Sequence, residues 1–460
     1  MNLSPRYPVT MTVQRHNTTY VYTPFNVIMV VGMGKALGSI AVAMLAAFSR
    51  HQQAQGFILP LARTTLIPSR TYFTAEKTSA SSIFPAGLVG DRTRCASVAG
   101  GATAVGSEVL AGEDESVRVA QIEGFKDKVM EGLSVQGMDS TFLSIFSEFL
   151  EGYSNCAIRA GTTAEQFQMN LGILIKMVPE NMKDPYKFEL FHASQRKPTD
   201  LYQWGNDFFR PLVVLEDSML GGRENLEKIA EYIAKGENVF LLSNHQTEAD
   251  PQVISLLMER EGYGELASSL INVAGHRVTT DPLAIPFSMG RNLFCIFSKK
   301  YMENPPELKG EKQKHNVRTL KTMAEMMSGG GQFIWVAPSG GRDRPDPETG
   351  KFVVSPYDPK SVEVFRLMAA KAKGRDGKGP PTHFFPFTMW TNKLVPPPDK
   401  VNKELGERRQ ADRGPASIAF GEEVVATDGG KMPMEEFVEL MEERVRAEYA
   451  KLDTFHAAQE

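Results

Sequence analysis

From about residue 206 onward, short apolar runs alternate with stretches whose apolar residues fall at helical spacing. Helices are expected at 224–235, 251–260, 312–327 and 361–373, and strands at 239–242, 270–274, 293–297, 332–337 and 384–388. Such alternation favours a mostly parallel sheet with helices on both faces, because parallel strands need crossover connections and those crossovers cover the sheet. The strand ends then gather at one edge, and the loops there build the site. This α/β pattern fixes the expected fold class more firmly than any composition figure.

Upstream the pattern differs. Residues 113–131, 138–153 and 164–177 have helical apolar spacing, punctuated by Gly124, Gly132 and Gly161, and read as a small helical bundle. The polar stretch 179–205, with Pro179, Pro185 and Pro198, reads as the crossing into the α/β part. No repeat with a period of about 20 to 50 residues runs along the chain. The expected organisation is a targeting leader over 1–107, a helical domain over 108–205 and an α/β catalytic domain over 206–460.

The leader is marked by charge. Residues 1–107 hold nine Lys or Arg against only Glu76 and Asp91, leaving +7 there and −11 in the remainder of a chain whose formal net charge is −4. Within it, 27–48 is nearly continuous apolar chain broken by Gly, Ser and Lys35, while 57–107 is rich in Ser, Thr, Ala and Arg. The two parts resemble a signal peptide followed by a plastid transit peptide, and Ala54-Gln-Gly-Phe-Ile-Leu-Pro60 between them resembles the cleavage site of a bipartite leader. A membrane anchor is the competing reading, since about twenty apolar residues can span a bilayer. Gly32-Met-Gly-Lys-Ala-Leu-Gly38 has the wrong spacing for a dinucleotide loop. Cys95, Cys156 and Cys295 lie far apart, so reduced thiols are expected and neither a disulfide framework nor a zinc site is suggested. With 42% hydrophobic and 23% charged residues, the 460-residue chain has the composition of a soluble enzyme of two or three domains.

The chemistry begins at Leu241-Leu-Ser-Asn-His-Gln-Thr-Glu-Ala-Asp250-Pro251. A strand ends here and a helix begins, with Asp250 expected as its N-cap and Pro251 as its first residue. His245 and Asp250 would face one another across the short loop, a base with a carboxylate behind it to fix the tautomer and steady the imidazolium. The alternative is a helix cap beside an ordinary surface histidine.

The string Asn244-His-Gln-Thr-Glu-Ala-Asp250-Pro251 resembles the first motif of the plastid, soluble type of glycerol-3-phosphate acyltransferase. Three further blocks resemble that family in order: Gly290-Arg-Asn-Leu-Phe-Cys-Ile-Phe-Ser-Lys-Lys-Tyr301, Phe333-Ile-Trp-Val-Ala-Pro-Ser-Gly-Gly-Arg-Asp-Arg-Pro-Asp-Pro347 and His383-Phe-Phe-Pro-Phe-Thr388. The likeness spans roughly 205 to 425. It implies an acyltransferase that binds the substrate phosphate through Lys300, Arg342 and Arg344, with His245 and Asp250 catalytic. The family carries histidine after the second lysine, whereas this chain has Tyr301.

The residues themselves allow that reading. Arg342 and Arg344 are two apart, so an extended loop would project both to one side, and guanidinium forks suit a dianion. Gly340 and Gly341 would let the backbone approach a ligand. The competing reading is a solvated Arg-Asp-Arg cluster neutralised by Asp343 and Asp346. Lys299 and Lys300 could add point charge. Met258, Met289, Phe294, Phe297, Trp335, Phe385 and Met389 are candidates for an acyl groove, although residues of these types are more often core.

The expected reaction is direct transfer of an acyl group from an acyl-carrier-protein or coenzyme A thioester to the sn-1 hydroxyl of glycerol 3-phosphate. There is no Gly-x-Ser-x-Gly elbow for a covalent serine intermediate, no His-Glu-x-x-His metal string and no sign of a cofactor or nucleic-acid partner. Peripheral membrane contact stays open, and the expected location is the plastid stroma. Two rivals are acyl transfer to another phosphorylated acceptor, such as lysophosphatidate or dihydroxyacetone phosphate, and a non-catalytic module that binds acyl thioesters or lipid.

Overall fold

The computed structural model describes the backbone of residues 11–15, 18–22 and 27–31, together with residues 114–135, 137–374, 376–396, 409–425 and 432–459. Residues 1–103 and 104–460 are separate compact units. In the first, β1 (Met11–Arg15), β2 (Thr18–Tyr22) and β3 (Val27–Val31) form an antiparallel sheet in that order. The apolar run assigned above to a leader therefore begins as a strand, Val-Ile-Met-Val-Val, a sequence rich in β-branched residues. Residues 32–48 and the Ala54–Pro60 segment lie outside the described residues. Among the described residues, no helix is long and apolar enough to cross a membrane.

The second unit opens with three helices, Glu115–Val135, Ser140–Arg159 and Ala164–Lys183. Asp139 caps the second by accepting from Thr141 N at 2.8 Å and Phe142 N at 3.1 Å, and Thr163 caps the third through Gln166 N at 3.1 Å. The third helix runs through Pro179, where the sequence suggested a crossing. Leu171, Leu174, Val178 and Asn181 form a buried stripe along it, and that burial outweighs the roughly 3 kcal/mol that an interior proline costs. The expected polar crossing also contains the strand β4 (Phe191–His192) and the largely buried helix Leu201–Phe209.

The remaining strands are β5 (Leu220–Gly221), β6 (Asn238–Ser243), β7 (Ile271–Gly275), β8 (Asn292–Ile296), β9 (Phe333–Val336), β10 (Arg344–Pro345), β11 (Phe352–Val353), β12 (Thr382–Trp390) and β13 (Ser417–Phe420). Eight of the strands make one sheet in the order β4-β8-β7-β9-β6-β12-β13-β5, and β10 and β11 form a separate hairpin. The run β8-β7-β9-β6-β12 is parallel throughout, and the antiparallel joints fall at β4–β8 and β12–β13.

Both faces of the sheet are buried. Val239, Leu241, Phe333 and Trp335 point into one core, and Phe240, Leu242, Ile334 and Val336 into the other. This is the period-2 alternation of a strand covered on both sides. The three N-terminal helices, Leu201–Phe209 and Asp250–Arg260 contribute to the first core. Helices Lys309–Gly329, Pro359–Lys373 and Met434–Ala457 contribute to the second. Stacking of Tyr153 on Phe208, with centroids 4.4 Å apart, ties the helical region to the sheet's neighbours.

Candidate active site

The loops after the parallel strands meet at one edge of the sheet. The loop after β6 carries His245, that after β9 carries Arg342, the turn after β7 carries Arg277, and β12 is followed by Thr391. His245 Nδ1 stands 2.7 Å from Asp250 Oδ2, with the imidazole side chain 26% exposed and the carboxylate fully buried. Asp250 is the first residue of its helix rather than the cap, a place held by Ala249, and Pro251 is the second. Its carboxylate instead reaches back into the loop. It accepts from Gln246 N at 2.8 Å, Thr247 N at 3.2 Å, Thr247 Oγ1 at 3.1 Å and Thr391 Oγ1 at 2.6 Å. Five donors thus lock Asp250 behind the imidazole and leave the other ring nitrogen to face outward.

His245 lies on the wall of a cavity that opens to solvent. Phe146, Phe149, Leu174, Phe209 and Phe287 supply much of the apolar lining, and Trp335 meets the imidazole edge-on at 5.7 Å. Among the seven groove candidates drawn from the sequence, Trp335 alone lines this cavity; Met258, Met289, Phe294, Phe385 and Met389 are core. Ile145, Phe146, Phe149, Leu174 and Phe209 come from the N-terminal helices and Leu201–Phe209, far from His245 in sequence, so no local motif could announce that part of the wall.

Cations gather on Glu248, three residues after the base. Arg409 donates to Glu248 at 2.7 and 3.3 Å and to Asp281 at 2.6 Å, and Arg342 Nη1 lies 3.7 Å from Glu248. Burial alone would raise the Glu248 pKa, but Arg409, Arg342 and Arg277 outweigh it and hold the carboxyl at about 2. Arg409, Arg277 and Glu248 were not singled out from the sequence. Arg409 belongs to no motif and stands 161 residues from its partner Glu248.

Arg344 forms part of β10 and donates from Nη1 to the Asp343 and Arg342 carbonyls at 3.1 and 3.4 Å. The neutralising role considered for the two acids is not what the geometry gives them. Asp343 is fully buried and accepts from Asn244 and Ser355, while Asp346 accepts from the amides of Glu348 and Thr349 within its own turn. Gly340 takes φ of +71°, the left-handed conformation the loop requires. Ser339 donates to the Gly341 carbonyl at 3.1 Å.

Lys299 is paired with Asp358 at 2.9 Å. Lys300 follows it in the four-residue helix Lys299–Met302, and its side chain lies outside the described residues. Tyr301 packs its ring 5.0 Å from that of His276, and its carbonyl accepts from Lys312. His383 is the second residue of β12, at the opposite edge of the sheet and beside Val239 in register. It lies 2.7 Å from both Glu423 and Glu237; burial disfavours its charge, but the two carboxylates prevail and raise its pKa. Among the described residues, no group of three or more His, Cys, Asp or Glu is arranged to hold a metal. Cys156 and Cys295 are free thiols, both pushed up to about 11 by burial, and Cys95 lies outside the described residues.

The acyltransferase family model matches residues 222–390, which include the loops of His245 and Arg342. The chloroplastic glycerol-3-phosphate acyltransferase of Arabidopsis thaliana is 38% identical over 283 residues, covering 61% of this chain and 60% of that protein. The chloroplastic enzyme of Pisum sativum is 40% identical over 275 residues, 59% of this chain and 57% of its own. That of Spinacia oleracea is 40% identical over 259 residues, 56% and 53% respectively. The chain thus spans between half and two thirds of the length of these curated relatives. It carries an acyltransferase-family domain over residues 222–390 and is a homologue, through the matched region, of the chloroplastic glycerol-3-phosphate acyltransferases.

Proposed function

We propose that the protein transfers a fatty acyl group from an acyl-carrier-protein or coenzyme A thioester to the sn-1 hydroxyl of glycerol 3-phosphate, giving lysophosphatidate and a free thiol. The observation that carries this reading is the His245–Asp250 pair, held at 2.7 Å on the wall of a largely apolar cavity, with Arg342 and Arg409 paired to Glu248 of the same loop. The outward ring nitrogen of His245 takes the hydroxyl proton as the oxygen attacks the thioester carbonyl. Collapse of the tetrahedral adduct breaks the carbon–sulfur bond, and the imidazolium returns its proton to the sulfur. Asp250 stabilises the imidazolium between those steps. Lys300, Arg342 and Arg344 hold the phosphate, and the apolar cavity takes the acyl chain.

The names of the relatives support a plastid location, and within the plastid we place the enzyme in the stroma, with at most peripheral membrane contact. We take residues 1–107 as a removable leader, 108–205 as the helical part and 206–460 as the catalytic part.

The test is an assay of purified protein with radiolabelled glycerol 3-phosphate and each thioester. Labelled lysophosphatidate is the expected product. Equal acylation of unphosphorylated glycerol, or a preference for lysophosphatidate or dihydroxyacetone phosphate as acceptor, would overturn the assignment. No transfer with any acceptor would favour a binding module.

A further inference from the structure

Arg291 is a buried cation whose partners are all neutral. It immediately precedes β8 and is 6% exposed. Nη1 donates to Ser255 Oγ at 2.6 Å, Nη2 donates to Asn206 Oδ1 at 2.5 Å, and the guanidinium lies 4.6 Å from the centroid of the Tyr202 ring. Among the described residues it forms no ion pair with a carboxylate. A guanidinium stays charged at neutral pH, and removing a charge from water without a counter-ion is costly.

Two neighbouring amides are also incompletely matched. Asn206 Nδ2 is buried without a partner beside Arg291. Gln252 is 2% exposed and makes no side-chain hydrogen bond among the described residues, and its Oε1 is buried. Buried polar groups are nearly always bonded, so such a concentration of exceptions calls for an explanation. Arg291 and Gln252 line the same cavity as His245.

Their place along the cavity matters. Asn292, the residue after Arg291, is level with Ile271 and Ile334, and Ile334 is level with Phe240. His245 lies beyond the far end of that strand, so at about 3.3 Å per residue the steps from Phe240 to Ser243 alone separate base and cation by roughly 10 Å. A largely apolar cavity thus has His245 towards one end and an unmatched cation towards the other. A hydrocarbon end would gain nothing from that cation, whereas a carboxylate would pair with the guanidinium and accept from an amide N–H.

We infer that the end of this cavity away from His245 is a binding site for the carboxylate of a long aliphatic chain, with Arg291 as its counter-ion and Gln252 as a hydrogen-bonding partner. The inference rests on the acyl-group reading of the cavity. The same chemistry has two sources: a free fatty acid entering head first, or an acyl thioester whose chain carries a second carboxylate at its far end.

Calorimetric binding of dodecanoate and dodecanol to the full chain tests the site, with acyl transfer to glycerol 3-phosphate measured in parallel. Dodecanoate should bind at least about tenfold more tightly than dodecanol, as a charge-assisted contact implies. Arg291→Gln should abolish that preference and Gln252→Leu should reduce it. Inhibition competitive with the thioester assigns the site to free fatty acid, and faster use of an ω-carboxydodecanoyl thioester than of the dodecanoyl one assigns it to the acyl donor. Equal binding of acid and alcohol by the unaltered protein, a preference that survives Arg291→Gln, or an absence of both kinetic effects in protein that does transfer acyl groups would overturn the inference. Should Arg291→Gln not fold, as judged by circular dichroism, the unaltered protein and Gln252→Leu decide the matter, an undiminished preference in Gln252→Leu counting against it. A carboxylate preference without any acyl transfer would sink the proposed function while leaving the site in place.

Discussion

Asn244 donates from Nδ2 to Asp343 Oδ2 at 2.9 Å, joining the loop that carries the base to the loop that carries Arg342. The link is doubled, because Asp343 N donates to the His245 carbonyl at 2.6 Å. Asp343 is fully buried; burial raises the pKa of its carboxyl, and the bonds from Ser355 and Asn244 only partly offset this. Asp343→Ala should therefore leave the Ser355 amide without its acceptor and weaken the tie between base and cation loops. The expected result is a loss of about 1 to 3 kcal/mol of stability together with a raised KM for glycerol 3-phosphate. A variant with unchanged melting temperature and unchanged KM would show that the tie does not position the cations.

Binding and chemistry should separate by mutation. His245→Ala removes a positioned base, which contributes about 10²- to 10⁴-fold to rate, so turnover should fall by at least that order with KM for glycerol 3-phosphate little changed. Arg342→Ala and Arg344→Ala should each do the reverse, raising KM through loss of a charge-assisted contact worth about 1.5 to 3 kcal/mol. Steady-state kinetics on the three variants decides this. Near-normal turnover in His245→Ala, or a purely turnover defect in both arginine variants, would contradict the assigned roles.

The sheet was legible because β6 and β9 are short apolar runs between helical stretches, and because both faces of the sheet are covered. The His245–Asp250 pair was legible because the two are five positions apart and a single loop closes the gap. Long-range partnerships were not. Thr391 reaches Asp250 across 141 residues and Arg409 reaches Glu248 across 161, and neither position carries a local signature. Pro179 misled for another reason: proline is a reliable helix breaker only where tertiary burial does not oppose it, and Val178 and Asn181 are buried on either side. The Asp343 role was hidden because an acid between two arginines looks like a neutralising partner, whereas its carboxylate accepts from Asn244, 99 residues away, and from Ser355.

The C-terminal helix carries an acid-sensitive contact. His456 lies beneath Trp390, with ring centroids 3.8 Å apart, and its Nε2 is 2.8 Å from Ser417 Oγ. Burial, reinforced by Lys393, lowers its pKa to about 4. The folded state therefore binds fewer protons at this site than the unfolded chain, whose imidazole titrates near 6.5. The contribution is fully present above about pH 6.5 and is lost as pH falls towards about 4, amounting to on the order of 3 kcal/mol. His456→Phe keeps a stacking ring and cannot titrate. Its melting temperature should fall less steeply than that of the unaltered protein between those pH values, and parallel curves would show that His456 is not the titrating group.

The last prediction concerns residues 1–107. The described part of residues 104–460 is a compact unit with its own cores and with His245, Asp250, Arg342 and Arg344 all in place. Among the described residues, β1, β2 and β3 form a sheet of their own. All eight described strands of the large sheet come from residues 104–460, so that sheet is built without the small one. A chain beginning at Glu108 should consequently fold, stay in solution and match the full-length protein in turnover and in KM for glycerol 3-phosphate. Expressed in its native cell, the full-length protein should yield a mature form that lacks the basic, acid-poor segment and is recovered without detergent. Loss of activity in the shortened chain would show that residues 1–107 take part in the catalytic structure. Recovery of the uncut protein only with detergent would show that they anchor it.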